Sequence, residues 1–140
     1  MKEINQTHPK STSAYIHIPF CEHICYYCDF NKVFLEGQPV DEYIQSLLTE
    51  IRLTLEKHPT KVSETIYIGG GTPTSLTARQ LDVLLTGIHR YLPTHTTKEF
   101  TVEANPGDLT AEKLDVFKAH GVNRLSMGVQ TFDDRLLKKI

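Results

Sequence analysis

Apolar and polar positions along the chain follow two periods, and these predict strands followed by helices. In residues 14–18 the apolar Ile16 and Ile18 alternate with polar neighbours, and Pro19 ends the pattern, which is typical of a short strand. In residues 40–57 the apolar positions recur three and four residues apart, which predicts an amphipathic helix. The chain therefore opens with a strand and a long helix.

The same order of strand and helix occurs three more times. Further strands are predicted at residues 65–68, 100–102 and 124–127, and further helices near residues 78–91, at 111–119 and from Asp133 onward. Thr77 and Gln80 fit a capping box at the start of the second helix. Four strand–helix units in succession predict an α/β fold in which the strands run parallel.

Composition places the chain among globular proteins. It has 140 residues, 39% of them hydrophobic, and a formal net charge of −2, so no basic surface suggests nucleic acid as a partner. No apolar run approaches the ~18 residues that cross a bilayer, and no signal peptide is evident, so we expect a cytoplasmic location. Residues 1–12 are polar and predicted to be flexible, which leaves residues 13–140 as the folded domain.

Three cysteines provide the first chemical signal. Cys21, Cys25 and Cys28 are the only cysteines of the chain, and an odd, clustered set excludes a disulfide framework. Cysteine thiolates hold iron–sulfur clusters, and three of them would leave one iron of a cubane open for another molecule. The alternative is a structural zinc site that His17 or His23 completes.

The other strands also end in unusual residues. The second is followed by the glycine-rich run at 69–74, the third by Glu103 and Asn105, and the fourth by Gly128 and Gln130. Since the carboxyl ends of parallel strands meet at one edge, these residues predict one shared pocket with the cysteines. There Glu103 could accept hydrogen bonds from ribose, and the glycines could let a ligand approach the backbone. The alternatives are a solvated loop acid and an ordinary strand-to-helix turn.

Five segments together resemble one protein family. They are Tyr-Ile-His-Ile-Pro-Phe-Cys at 15–21, Cys-Tyr-Tyr-Cys-Asp-Phe at 25–30, Gly-Gly-Gly-Thr-Pro-Thr at 69–74, Glu-Ala-Asn-Pro at 103–106 and Gly-Val-Gln at 128–130. The cysteine spacing resembles the radical S-adenosylmethionine superfamily, and the full set resembles its oxygen-independent coproporphyrinogen III oxidase family. The resemblance implies a partial (β/α)6 TIM-like barrel, of which this chain covers the first four units and lacks the C-terminal half and the C-terminal domain.

The resemblance also implies cofactors and their ligands. Cys21, Cys25 and Cys28 would hold three irons of a [4Fe–4S] cluster, and S-adenosylmethionine would chelate the fourth. One electron from the cluster would then cleave the sulfonium to methionine and a 5′-deoxyadenosyl radical. The residues implied in cofactor binding are Tyr15 and Tyr27 beside the cluster, Gly70, Gly71 and Thr72 at the methionine end, Glu103 at the ribose, and Gln130 at the polar groups.

One position separates two branches of that family. Its oxidases carry a further cysteine two residues after the last cluster cysteine, where this chain has Phe30, and this resembles the haem-chaperone branch. The resemblance implies haem binding and transfer to a respiratory haem protein, with an electron donor as a further partner. The alternatives are radical oxidative decarboxylation of a porphyrinogen and a zinc-stabilised binding module. We expect the chain alone to be inactive and to associate, because an open parallel sheet exposes an edge and apolar surface.

Overall fold

The computed structural model describes residues 12–139, so the flexible segment predicted at residues 1–12 lies outside the described residues except for Thr12. The strands are β1 (Ser13–Ile18), β2 (Phe20–Cys21), β3 (Val33–Phe34), β4 (Thr65–Gly70), β5 (Glu99–Ala104) and β6 (Arg124–Met127). The helices are α1 (Val40–Lys57), α2 (Ala78–Tyr91), α3 (Ala111–Ala119) and α4 (Asp134–Leu137). The alternation of strand and helix that the sequence predicts is confirmed.

Four strands form one parallel sheet in the order β1-β4-β5-β6. The register places His17 of β1 beside Gly69 of β4, and Glu103 of β5 beside Ser126 of β6. The parallel arrangement confirms the predicted α/β fold. It also brings the carboxyl ends of all four strands to the same edge, as the shared-pocket prediction requires.

The two faces of the sheet differ in polarity. One face carries buried apolar side chains that pack with α1 and α2: Ile16, Ile18, Ile66, Ile68, Phe100 and Val102 from the strands, and Ile44, Leu81, Leu84, Leu85 and Ile88 from the helices. The alternate positions are largely polar and include Tyr15, His17, Tyr67 and Glu103. The apolar face therefore supplies the core, and the polar face leads toward the cavity described below.

Two details of the elements differ from the sequence prediction. The glycine run does not stop β4 at residue 68, because Gly69 and Gly70 still pair with His17 and Ile18 of β1. The second parallel pair, β2 and β3, was not predicted, since two-residue strands show no period. Its ends are tied by the amide of Leu35, which donates to Cys21 O at 2.9 Å. The predicted capping box of α2 is confirmed.

Apolar side chains are partly exposed at the β6 end of the sheet. Leu125 of β6 is half-buried, and Leu114 of α3 is exposed beside it. Self-association of the chain stays a prediction. Among residues 12–139, no helix combines the length and the apolar character that crossing a membrane requires.

Candidate functional site

A cavity of about 580 Å³ opens at the carboxyl ends of the four strands. Its volume lies in the range of small-molecule sites. Nine of the ten residues that sequence reasoning assigned to the site line it: Cys21, Cys25, Tyr27, Cys28, Gly70, Gly71, Thr72, Glu103 and Gln130. A larger groove of about 830 Å³ runs along the edge of β1 against α1, but it contains none of the cysteines. The smaller cavity is therefore the candidate site.

The cysteine loop, residues 21–33, is fixed through its backbone carbonyls. Lys32 Nζ donates to the carbonyl of Cys28 and, at 3.5 Å, to that of Phe30. His17 Nε2 donates to the carbonyl of Asn31 at 2.8 Å. The β2–β3 pair closes the loop at its base. These anchors are contacts within the protein and involve no cysteine sulfur.

Both ring nitrogens of His17 take part in hydrogen bonds. Because a carbonyl only accepts, the ring must carry its proton on Nε2, and Nδ1 then accepts from Tyr15 Oη at 3.0 Å. Neither ring nitrogen is free to ligate zinc while these bonds persist. His23 is exposed and lines the cavity. Within residues 12–139, no three His, Cys, Asp or Glu side chains already stand close enough to hold an ion.

The three cysteines differ in their surroundings. Cys21 is only 6% exposed and accepts a hydrogen bond from Thr72 Oγ1 at 3.4 Å, whereas Cys25 and Cys28 are half-buried. Burial raises the pKa of the Cys21 thiol, the Thr72 hydrogen bond opposes that rise, and the positive charge of Lys32 opposes it further. Cys21 is thus buried at the base of the cavity, whereas Cys25 and Cys28 lie on the loop and are partly accessible.

This difference predicts an order of thiol alkylation. We expect iodoacetamide to modify Cys21 more slowly than Cys25 and Cys28 in the reduced, metal-free chain, since Cys21 is buried and its thiol is disfavoured as thiolate. Peptide mass spectrometry after timed quenching measures the three rates. Equal rates in urea would serve as the unfolded control. Fastest labelling at Cys21 in the folded chain would contradict the arrangement.

Aromatic side chains surround the loop. Burial, followed by the hydrogen bond with Cys25, raises the pKa of Tyr27. Tyr26 is 97% exposed, and Phe30 also lies largely in solvent at the cavity rim. Tyr15 is the one predicted site residue that does not line the cavity. Its ring stacks on Tyr67 with 6.1 Å between centroids, so its assignment to the cofactor stays a prediction.

Glu103 is held in the cavity by two donors. Its Oε1 accepts from Tyr67 Oη at 2.6 Å, and its Oε2 accepts from the amide of Gly70 at 3.0 Å. The residue is half-buried, so the alternative of a solvated loop acid is not what the structure has. An ionised carboxylate can accept at about four positions, so two remain for a ligand.

The glycines at the end of β4 and directly after it are required by close packing within the chain itself. Gly70 has φ +123°, which other residues rarely adopt, and a Cβ there would lie 2.7 Å from the ring of His17. A Cβ on Gly71 would lie 2.6 Å from the carbonyl oxygen of Pro19. The close approach that these glycines allow is thus between β4 and the end of β1. Contact with a ligand stays a prediction.

The end of β6 brings an amide into the cavity. Gln130 has φ +64°, and a Cβ on Gly128 would lie 2.7 Å from Gln130 Nε2. Gly128 also donates its amide to Ala104 O at 3.2 Å, which ties this turn to β5. Sequence reasoning missed Lys32 and Tyr67 near the site. Nothing in their local sequence marks them, because their roles depend on contacts between loops or strands.

Comparison with known proteins identifies the family. Residues 15–140 match the model of the Radical SAM superfamily. The chain belongs to this superfamily. Its fold superposes on coproporphyrinogen III oxidase (HemN) from Escherichia coli, a radical SAM enzyme, with a TM-score of 0.75 and 30% identity, covering 91% of this chain and 30% of that one. The predicted resemblance and the partial TIM-like barrel are therefore confirmed.

Curated relatives fall in two groups. The chain is 60% identical over 129 residues to the haem chaperone HemW of Bacillus subtilis and 42% identical to HemW of Escherichia coli, covering 91% of this chain and 34% of each relative. It is 36% identical to the oxygen-independent coproporphyrinogen III oxidase of Salmonella typhimurium, covering 91% of this chain and 28% of that relative. The chain thus spans about a third of the length of the HemW relatives.

The donor set of the cavity fits the cofactors that the radical SAM superfamily implies. Three cysteines line one cavity, and three protein thiolates are the number that leaves one iron of a cubane open for another ligand. Glu103 and Gln130 supply polar groups at the opposite wall, on β5 and after β6. The volume accommodates a nucleoside-sized ligand. Soft donors on one side and hydrogen-bonding groups on the other match a cluster with a polar cofactor beside it.

Proposed function

We propose that the chain binds a [4Fe–4S] cluster through Cys21, Cys25 and Cys28 and S-adenosylmethionine beside it, in a protein that binds and transfers haem. The observation that supports this most is the convergence of nine predicted site residues on one cavity. A bound cluster with three protein ligands would supply an electron to the sulfonium of S-adenosylmethionine. The chain's own residues would bind and orient the cofactors.

The residues that line the cavity would bind S-adenosylmethionine and orient it. Glu103 has two free acceptor positions for ribose hydroxyls, and the Gln130 amide can both donate and accept. Gly70, Gly71 and Thr72 form the turn that we assign to the methionine end, with Thr72 also in contact with Cys21. Tyr27 and Phe30 line the loop side of the cavity, and both rings are exposed at its rim.

Haem transfer is favoured over porphyrinogen oxidation by the loop sequence and by similarity. Phe30 stands where the oxidase branch carries a further cysteine, and the HemW proteins of Bacillus subtilis and Escherichia coli, at 60% and 42% identity, are more similar to the chain than the Salmonella oxidase at 36%. The oxidase reading is supported by the HemN fold match. An electron donor, a respiratory haem-protein acceptor and a cytoplasmic location belong to this proposal.

Anaerobic reconstitution with iron and sulfide tests the cofactor half of the proposal. We expect a brown protein whose electron paramagnetic resonance spectrum, after reduction, changes when S-adenosylmethionine is added. A colourless protein that retains one tightly bound zinc would instead support the zinc-stabilised module. Iron and zinc are measured on the same sample by mass spectrometry, so the two outcomes are distinguished directly.

A haem assay tests the other half. The reconstituted protein is incubated with haem, separated from free haem, and mixed with an apo-form of a respiratory haem protein. Stable haem absorption followed by transfer supports the chaperone. Conversion of coproporphyrinogen III to a decarboxylated product, without haem retention, supports the oxidase and overturns our preference.

A further inference from the structure

Tyr67 on β4 contacts Glu103 in a way that no motif of the sequence indicates. Its hydroxyl donates to Glu103 Oε1 at 2.6 Å. The hydrogen bond to Glu103, followed by burial, raises the pKa of Tyr67, while a side-chain hydrogen bond with Ser126 on β6 lowers it. The phenol on β4 therefore reaches the carboxylate on the neighbouring strand β5.

Gly69 is the residue that makes room for this pair. A Cβ at Gly69 would lie 2.7 Å from Cε1 of Tyr67 and 2.8 Å from Oε2 of Glu103. Any side chain there would force the phenol, the carboxylate or both to shift. The first glycine of the run is thus explained by the Tyr67–Glu103 contact, just as Gly71 is explained by Pro19.

The far side of the tyrosine ring is also fixed. Tyr15 stacks on it with an interplanar angle of 23°. The Tyr15 hydroxyl bonds His17, and His17 in turn holds the Asn31 carbonyl in the cysteine loop. Tyr67 therefore belongs to a continuous set of contacts that runs from the acid on β5 to the loop that carries the cysteines.

These contacts matter because a carboxylate held by one donor can still rotate. The amide of Gly70 fixes Oε2, and Tyr67 fixes Oε1, so the plane of the carboxylate is set by two donors on two atoms. The two remaining acceptor positions then have fixed directions in the cavity. A vicinal diol offers two adjacent hydroxyl donors, which is the ligand chemistry that such a pair of acceptors suits.

We propose that Tyr67 is a positioning residue that orients the Glu103 carboxylate as a diol receptor and thereby sets the preference of the site for a ribonucleoside over a deoxyribonucleoside. This inference rests on the proposed function, in which Glu103 receives the ribose. Tyr67 itself does not line the cavity, so it acts through Glu103 and not by touching the ligand.

The test compares two nucleosides on three proteins. Adenosine and 2′,3′-dideoxyadenosine are titrated by calorimetry against the wild-type chain, Tyr67→Phe and Tyr91→Phe. Tyr91→Phe is the matched control, since it removes a phenol hydroxyl on α2 outside the cavity. We expect wild type and control to prefer adenosine, and Tyr67→Phe to lose that preference by about ten-fold, the effect of one hydrogen bond to a charged group.

The proposal is judged by the ratio of the affinities for adenosine and 2′,3′-dideoxyadenosine. A merely structural loss would weaken both nucleosides alike and leave the ratio unchanged, which would overturn the proposal, as would a wild-type chain that shows no preference. Iron content and the S-adenosylmethionine response of the reconstituted chain are measured separately, so failure of the proposed cofactor site is recognised by those data.

Hydrogen exchange gives a second readout that needs no ligand. If Tyr67 holds the carboxylate, Tyr67→Phe lets Glu103 move and the amide of Gly70, which donates to Oε2, exchanges faster with solvent. The protection of the β1–β4 ladder should stay as in wild type, which shows that the sheet is intact. Unchanged protection at Gly70 would overturn the proposal.

Discussion

Replacing Cys25 by alanine is expected to lower the affinity of the chain for the proposed [4Fe–4S] cluster by more than about 100-fold, because the loss of a ligand costs more than the 10–100-fold that changes around a ligand cost. Cys25 is the ligand of choice for this test. It lies on the loop and is half-buried, so its removal disturbs neither the sheet nor the apolar core. Iron and sulfide per chain, measured after anaerobic reconstitution and desalting, report the loss.

The matched control for this substitution lies one residue away. Tyr26→Ala removes a larger side chain from the same loop, but Tyr26 is almost fully exposed and does not line the cavity. We expect this variant to bind iron as wild type does. Wild-type iron content in Cys25→Ala would mean that the three cysteines do not act together, and the proposed cluster site would be wrong.

Replacing Gly71 by alanine is expected to lower the free energy of unfolding by about 3 kcal/mol, the upper part of the range for forcing atoms into a packed site. The new Cβ would lie 2.6 and 2.7 Å from the carbonyl oxygen and carbon of Pro19 and 2.8 Å from Phe20 O. All three are backbone atoms, so no side-chain rotation relieves the overlap. The turn after β4 and the end of β1 would have to move apart.

Gly107→Ala is the control for that prediction. Gly107 is exposed, has no positive φ, and a Cβ there would meet nothing within 4 Å. Its effect should stay within about 0.5 kcal/mol, as for ordinary surface substitutions. Equilibrium urea unfolding under reducing conditions measures both variants. Similar midpoints for the two would contradict the packing described for Gly71.

The order of strands and helices could be predicted from the sequence, because the apolar pattern of each main element extends over enough residues to be recognised. The 18 residues of α1 and the 9 of α3 have the predicted bounds, and the four strands are parallel as expected. The β2–β3 pair could not be predicted, since each strand has two residues. What fixes this pair is the path of the cysteine loop, a property of the folded chain.

The sequence predicted which residues belong to the site better than it predicted how they contact one another. The cysteines, Glu103 and Gln130 follow strand ends, and parallel strands bring such residues together. The glycines were interpreted as allowing a ligand to approach the backbone, which stays a prediction; the structure adds that side chains there would meet Pro19, His17 and the Tyr67–Glu103 pair. Tyr67 lies 36 residues from Glu103, and their contact depends on the β4–β5 register, which no local pattern contains.

The anchoring of the cysteine loop has a consequence for how the proposed cluster would be acquired. Lys32, His17 and the β2–β3 pair restrain the loop through bonds that involve no cysteine sulfur. Small zinc domains, in contrast, obtain their folded structure from the metal itself. The polypeptide's own contacts therefore restrain the loop that would carry the proposed cluster. Insertion of such a cluster would then follow folding, and its loss would leave the loop restrained by the same contacts.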